Sequence, residues 1–328
     1  MLNENQTPQA LPVKSKRRIF PWFIIVLLLI LGFLYGPEIF KTGMKIKSLE
    51  PKPKYFLLKK IIQFTGTKTQ GKPMFANDIV IVGPDSLAIT DNLGNQVLVY
   101  DFEGNLIRNW GKGGGGPLEF KEPSGIATDR NGHVFILDTW NSAIKTFNLD
   151  GKLLKSLNLT KYGYFFGPRR IGWGGDAFLV SNAANNSLSR LAPSGELLSA
   201  WNDKKTMAGV SAAINDGKGL YYVGANEGTK SRVQVFDVSG KILRTILTEV
   251  EDSDLALDSK GKLFVACYGD PSKVFDPSGN PLGFLVDEDQ MEKPLNQIMG
   301  IDIAPDDRVV TCGGDTVTIY RMVGAKEI

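Results

Sequence analysis

His133 is the only histidine in the 328 residues, and Cys267 and Cys312 are the only cysteines. A zinc centre built on several histidines, or a Ser-His-Asp triad with a histidine to spare, therefore has no residues to be made from. His133 follows the turn glycine Gly132 and opens an apolar run, which is the place of a solvated residue at a strand start. The two cysteines fall near the ends of equivalent strands, offset by one position, so their side chains leave opposite faces of their own sheets. Two separately buried thiols are expected, with a contact between neighbouring sheets as the alternative. The chain has no Cys-x-x-Cys-His haem motif. Its glycine run at 111–116 invites comparison with a phosphate loop, but such a loop leads into a helix with lysine at its end. This one leads to Phe120, Pro123 and a further strand-like run, so it reads as a connection.

The elements that would position any site come from a repeat. An apolar residue is followed four positions later by glycine at Tyr100 and Gly104, Phe147 and Gly151, Leu191 and Gly195, Phe236 and Gly240, Phe275 and Gly279, and Tyr320 and Gly324. These glycines are 47, 44, 45, 39 and 45 residues apart. That period suits one four-stranded propeller blade per repeat, with loops of variable length. Residues 123–157 show the strands most clearly: short apolar runs separated by turns at Asp129 to Gly132 and at Asp150-Gly151. Glycine after Asp or Asn supplies the positive φ such turns need. The 36 glycines and the scarcity of helix-like stretches agree with an all-β domain.

From residue 111 the chain runs through the glycines to Pro117, Phe120, Pro123, Gly125, Asp129 and Gly132. It continues through Asp138, Asn141, Phe147, Asp150 and Gly151. This run resembles the NHL-repeat signature, and the resemblance extends, with degenerate third and sixth repeats, over about 270 residues. It implies a six-bladed β-propeller, a fold that hosts scaffolds, sensors and enzymes alike. The chemistry of NHL-type amidating lyases relies on several histidines and does not carry over. Lactonase-like propellers hold a divalent ion among channel carboxylates and amides. By that likeness Asp78 and Asp254 are weak candidate ligands for calcium or zinc, without a spacing that singles them out.

Strand counting sets the closure. The sixth repeat stops after a third strand at 316–322, while an apolar segment at 55–64 precedes the first full repeat. Placing 55–64 as the outer strand of the last blade closes the ring and removes an unpaired edge.

In such a blade the connections between blades and the second-to-third-strand loops share one face of the disc. That face is expected to gather Asp91, Asp138, Trp140 and Asn141, with Tyr162, Tyr164, Phe165 and Arg169 from a connection, and Arg170 at the channel mouth. Asp and Asn there also serve simply as turn formers. Exposed aromatics beside arginine, by contrast, are the usual make-up of protein-binding hot spots.

The remaining segments concern placement. Residues 19–36 contain no charged side chain and as a helix would be about 27 Å long, close to the hydrocarbon thickness of a bilayer. They are expected to form an uncleaved transmembrane helix after a cytoplasmic tail (1–18), with a stalk at 37–54 and the propeller at 55–328 in the periplasm or outside the cell. Lys14, Lys16, Arg17 and Arg18 set that orientation. Residues 1–54 hold nine Lys or Arg and three Glu, leaving 29 basic and 32 acidic residues for the remainder. The globular part has no excess positive charge for a nucleic acid. The expectation is a membrane-anchored binding or assembly platform for a protein partner, without a cofactor. The alternative is a hydrolase or lyase with calcium or zinc in the channel.

Overall fold

The repeat rests on a turn in which one side-chain oxygen serves two backbone donors. Asp101 Oδ1 accepts from the N–H groups of Glu103 and Asn105, at 3.1 and 2.7 Å. Gly104 between them takes φ 84°, a conformation that favours glycine. Asn148, Asp237, Asp258 and Asp276 accept in the same i+2, i+4 pattern. Because the acceptor, the donors and the glycine lie within five residues of chain, each hairpin is specified locally.

The computed structural model describes residues 54–160, 168–182, 186–202 and 207–327. Their strands fall into six groups of four: 76–110, 123–158, 168–201, 210–247, 254–287, and 300–327 joined by 54–65. The innermost strands are Ala76–Gly83, Pro123–Thr128, Pro168–Trp173, Val210–Asn215, Asp254–Leu257 and Gly300–Ile303. Each packs against the next, and the last packs against the first, so the groups are the blades of a closed propeller. The core lies between blades. Apolar clusters fill each of the junctions between neighbours, including that between the sixth blade and the first.

The strand Lys54–Thr65 pairs antiparallel with Thr316–Glu327 along its whole length. Its first residues, Tyr55 to Leu58, also pair parallel with Phe284 to Asp287 of the fifth blade, which joins the fifth and sixth blades into one eight-stranded sheet. Phe56 and Leu58 in the doubly paired stretch, and Phe64 beyond it, are buried, each contributing about 1.5–3 kcal/mol. Ile61 on the same strand remains 51% exposed. The parallel pairing was not expected, since it links strands of different blades.

The two cysteines are buried separately, as expected, and one other reading is corrected. Cys267 and Cys312 are both buried and free, and they do not meet. Cys267 packs between the fourth and fifth blades and Cys312 between the sixth and the first. The reading of a single-pass membrane protein with an extracytoplasmic propeller is overturned, because no helix among the described residues is long and apolar enough to cross a membrane. The span at 19–36, with its tail and the stalk as far as residue 53, lies outside the described residues.

Candidate functional site

The register of the inner strands makes Asp78, Gly125, Arg170, Ala212, Asp254 and Gly300 equivalent, one from each blade. Arg170 dominates this layer. Its Nε donates to Ser253 O at 3.0 Å, Nη1 to Asn77 O at 2.9 Å and Ser124 O at 3.0 Å, and Nη2 to Met299 O at 2.6 Å. Those four carbonyls belong to the residues just before the equivalent positions of the fifth, first, second and sixth blades. One guanidinium from the third blade therefore ties together four others.

Carboxylates clasp successive blades around it. Asp78 accepts from Ile79 N and from Ile126 N of the second blade, both at 2.9 Å. Asp254 accepts from Leu255 N and from Ile301 N of the sixth, both at 2.9 Å. Asp302 accepts from Ile303 N and from Ile81 N of the first, both at 2.8 Å. Where no carboxylate intervenes, the backbones approach directly. A Cβ on Gly125 would lie 3.0 Å from Ile171 N, and one on Gly172 only 2.4 Å from Ala213 O.

Burial raises the Asp78 and Asp254 carboxyls above the ordinary range, and Asp254, which also feels the charge of Asp78, rises further. Burial disfavours the Arg170 cation, but Asp78 and Asp254 outweigh it and hold the guanidinium more firmly protonated. The nearest cation to Asp78 is thus built into the chain, with Arg170 Nη1 3.5 Å from Asp78 Oδ2. These residues do not fit a channel metal. Every carboxylate oxygen of Asp78 and Asp254 already accepts a backbone N–H, and a guanidinium lies beside the pair. Among the described residues, no group of three or more His, Cys, Asp or Glu is placed to hold a metal ion.

Arg170 borders two funnels. The one on the face of the first-to-second-strand hairpins has a volume of about 940 Å³ and is lined by turn residues such as Asp129, Asp216 and Asp258, with Arg130 and Arg190. His133 belongs to this side, its Nδ1 2.7 Å from Asp129 Oδ2. The other funnel, about 740 Å³, opens on the loop face and is lined by Asn92, Glu122, Trp140, Arg169, Ser211, Asn226, Asp252 and Tyr268 among others.

The loop-face funnel brings together three of the expected residues: Trp140, Arg169 and Arg170. Trp140 is 61% exposed, and its Nε1 donates to Glu122. Arg169 is exposed. Arg170, expected at a binding surface, is instead buried with its donors engaged by the ring. Asp91, Asp138 and Asn141 do not line this funnel. Asp91 is buried and accepts from Phe75 N, Leu93 N and Gln96 Nε2. Asp138 is buried and pairs with Lys145 at 2.9 Å, while Asn141 bridges Asp138 to Gly114 O. All three hold loops in place. Tyr162, Tyr164 and Phe165 lie outside the described residues.

Two residues of the funnel were missed by the sequence reading. Tyr268 is 55% exposed at its rim. Asp252 is buried; its Oδ2 accepts from Ser211 Oγ, and its backbone N–H and carbonyl are both bound by the Asn226 side chain. Its Oδ1 has no hydrogen-bond partner among the described residues. Burial is the main cause that pushes this carboxyl up to about 7. Space for the group depends on Gly224, where a Cβ would fall 2.2 Å from Asp252 Oδ2. A signal was present in the sequence. The register positions equivalent to Asp252 in the other blades are Ala76, Pro123, Pro168, Val210 and Ile298, all apolar.

Residues 37–170 match a family described as a 6-bladed beta-propeller. Comparison with curated proteins finds no match. Among solved structures, a streptogramin B lyase superposes with a TM-score of 0.54 at 15% identity, covering 74% of this chain and 78% of that one. A catalytically inactive histidine-to-alanine variant of virginiamycin B lyase from Staphylococcus aureus, with quinupristin, gives 0.52 at 15% identity, covering 74% and 79%. The selenomethionine-substituted virginiamycin B lyase from the same organism gives 0.54 at 15% identity, covering 75% and 80%. At this identity the likeness shows the propeller fold and nothing of activity.

Proposed function

We propose that this chain is a six-bladed propeller of NHL type whose loop-face funnel binds a protein partner. The observation that carries the reading is the pair of rings at that funnel: Trp140 and Tyr268 are 61% and 55% exposed, beside the exposed Arg169. Aromatic side chains and arginine around a concavity are the composition of a protein-binding hot spot. The NHL assignment rests on the residues from Gly111 to Gly151, whose acidic and amide turns recur in other blades.

A hydrolase or lyase with a channel metal is supported less well, since Asp78 and Asp254 are engaged by backbone and Arg170. The lyases that share the fold include a variant inactivated by loss of a histidine. The one histidine here is tied to Asp129 away from the loop face.

The reading is tested with the full chain as bait for its partner. Trp140→Ala combined with Arg169→Ala is expected to weaken capture by about 30-fold or more, because hot-spot truncations reach 2 kcal/mol each, with the melting temperature unchanged. Asp78→Asn with Asp254→Asn is expected to leave capture intact once folding is verified. Loss of capture in the acidic pair alone, with the Trp140 and Arg169 variant unaffected, would sink the platform reading.

A further inference from the structure

The loop-face funnel contains two acceptors with no donor among the described residues. Asp252 Oδ1 and Asn92 Oδ1 are both buried and without a hydrogen-bond partner, and both residues line the funnel. A buried acceptor left unmade is destabilising, and one on a carboxylate more so. Four of the neighbouring donor groups are already engaged. Arg170 serves four carbonyls, and Asn226 Nδ2 serves Asp252 O. Asn77 Nδ2 serves Ser124 O, and Trp140 Nε1 serves Glu122. What would complete the set is an N–H donor from outside, preferably one bearing positive charge, since charge-assisted bonds to a carboxylate are the strong ones.

The walls suit the same ligand. The rings of Trp140 and Tyr268 stand at the rim, and the faces of such rings attract ammonium and guanidinium groups. Glu122, beside Trp140, adds negative charge. Arg169 and Arg170 are the opposing charges; the Arg170 guanidinium is engaged by four carbonyls and lies beside Asp78, while Arg169 is exposed and its long side chain can stay in solvent. The glycine at position 224 preserves the space that the Asp252 carboxylate occupies.

We propose that the loop-face funnel seats a cationic side chain, a lysine or arginine of the protein partner, with its charged head toward Asp252 and its stem along Trp140 and Tyr268. This rests on reading the funnel as the protein-binding surface. Asn92 Oδ1 offers the second acceptor in the same cavity.

The test uses the full chain and three short peptides that differ only at their central residue: lysine, arginine or norleucine. Binding is measured calorimetrically or by peptide NMR at pH 8, where the Asp252 carboxyl has lost its proton. The lysine or the arginine peptide is expected to bind about tenfold or more tightly than the norleucine peptide, and whichever is preferred identifies the head group. Asp252→Asn is expected to erase the preference while Asn92→Asp increases it. Should the first variant fail to fold, the comparison of peptides on the unaltered chain still decides. Equal binding of all three peptides, or an undiminished preference in Asp252→Asn, would overturn the proposal. If the preference is absent while Trp140 still governs partner capture, only the cation site fails. If the preference is present while capture ignores Trp140, the cation site stands and the platform reading fails.

Discussion

The two funnels share one wall, the layer around Arg170, yet differ in how their polar groups are used. On the hairpin face Asp129, Asp216 and Asp258 each accept from the backbone N–H groups of their own turn, and Asp176 and Arg190 approach within 3.4 Å of each other. These carboxylates make the turn. On the loop face Asp252 is attached to Ser211 of the neighbouring blade and keeps one oxygen unpartnered. An acidic residue that recurs at a turn thus serves the fold, whereas one that breaks the register of its equivalents is the candidate for recognition. The density of carboxylates alone would point to the hairpin face, where each of these three already serves its own turn.

The largest expected effect comes from removing the shared wall. Arg170→Met deletes the guanidinium donors to Asn77 O, Ser124 O, Ser253 O and Met299 O and leaves Asp78 and Asp254 without their cation. Breaking a buried ion pair on one side costs about 3–5 kcal/mol, read as a lowered denaturation midpoint. A variant as stable as the original would mean that the two funnels are not separated by a structural plug.

Asp252 is next, through pH. Its carboxyl holds a proton up to about 7 in the folded chain against an ordinary value of 3.8. In that window the folded state binds a proton that the unfolded state has lost, so stability falls as pH rises. Between pH 5 and pH 8 the loss from this one group is about 2–3 kcal/mol. Asp78, Asp254 and Asp302 are raised as well and act in the same direction. Asp252→Asn should remove its own share and melt higher than the original at pH 8. An unchanged pH slope would show that this oxygen is not buried unpaired, and the contrast between the faces would weaken.

The smallest effect sharpens the comparison from the other side. Asp216→Ala removes the acceptor for Lys218 N and Leu220 N, a change worth about 1 kcal/mol. Partner capture should not move. A capture defect with unchanged stability would place recognition on the hairpin face instead.

Much of the fold was legible because its instructions are short. The Asp101 to Gly104 and Asp276 to Gly279 turns each carry acceptor, donors and the positive-φ residue within a few positions, and apolar runs flank them. The exposure of Trp140 followed from its place in a second-to-third-strand loop. The same loop logic failed for Asp91 and Asp138, whose carboxylates turn inward to bind the chain that crosses them, at Phe75 N and Lys121 N. Both kinds of residue look alike in a string of letters, because the difference lies in what packs above them.

By itself the sequence determined a propeller: a repeated hairpin chemistry, a period of blade length, and apolar strands whose faces must be covered by neighbours. Tertiary structure alone decided the centre and the closure. It sends Arg170 across the ring to Met299 O and lays Tyr55 beside both Phe284 and Lys326. It also leaves Asp252 with an oxygen that none of the described residues completes. Turns are written locally because their donors and acceptors are covalent near-neighbours. Charge burial and edge pairing depend on groups up to a few hundred residues apart, and only ring closure brings those within reach of one another.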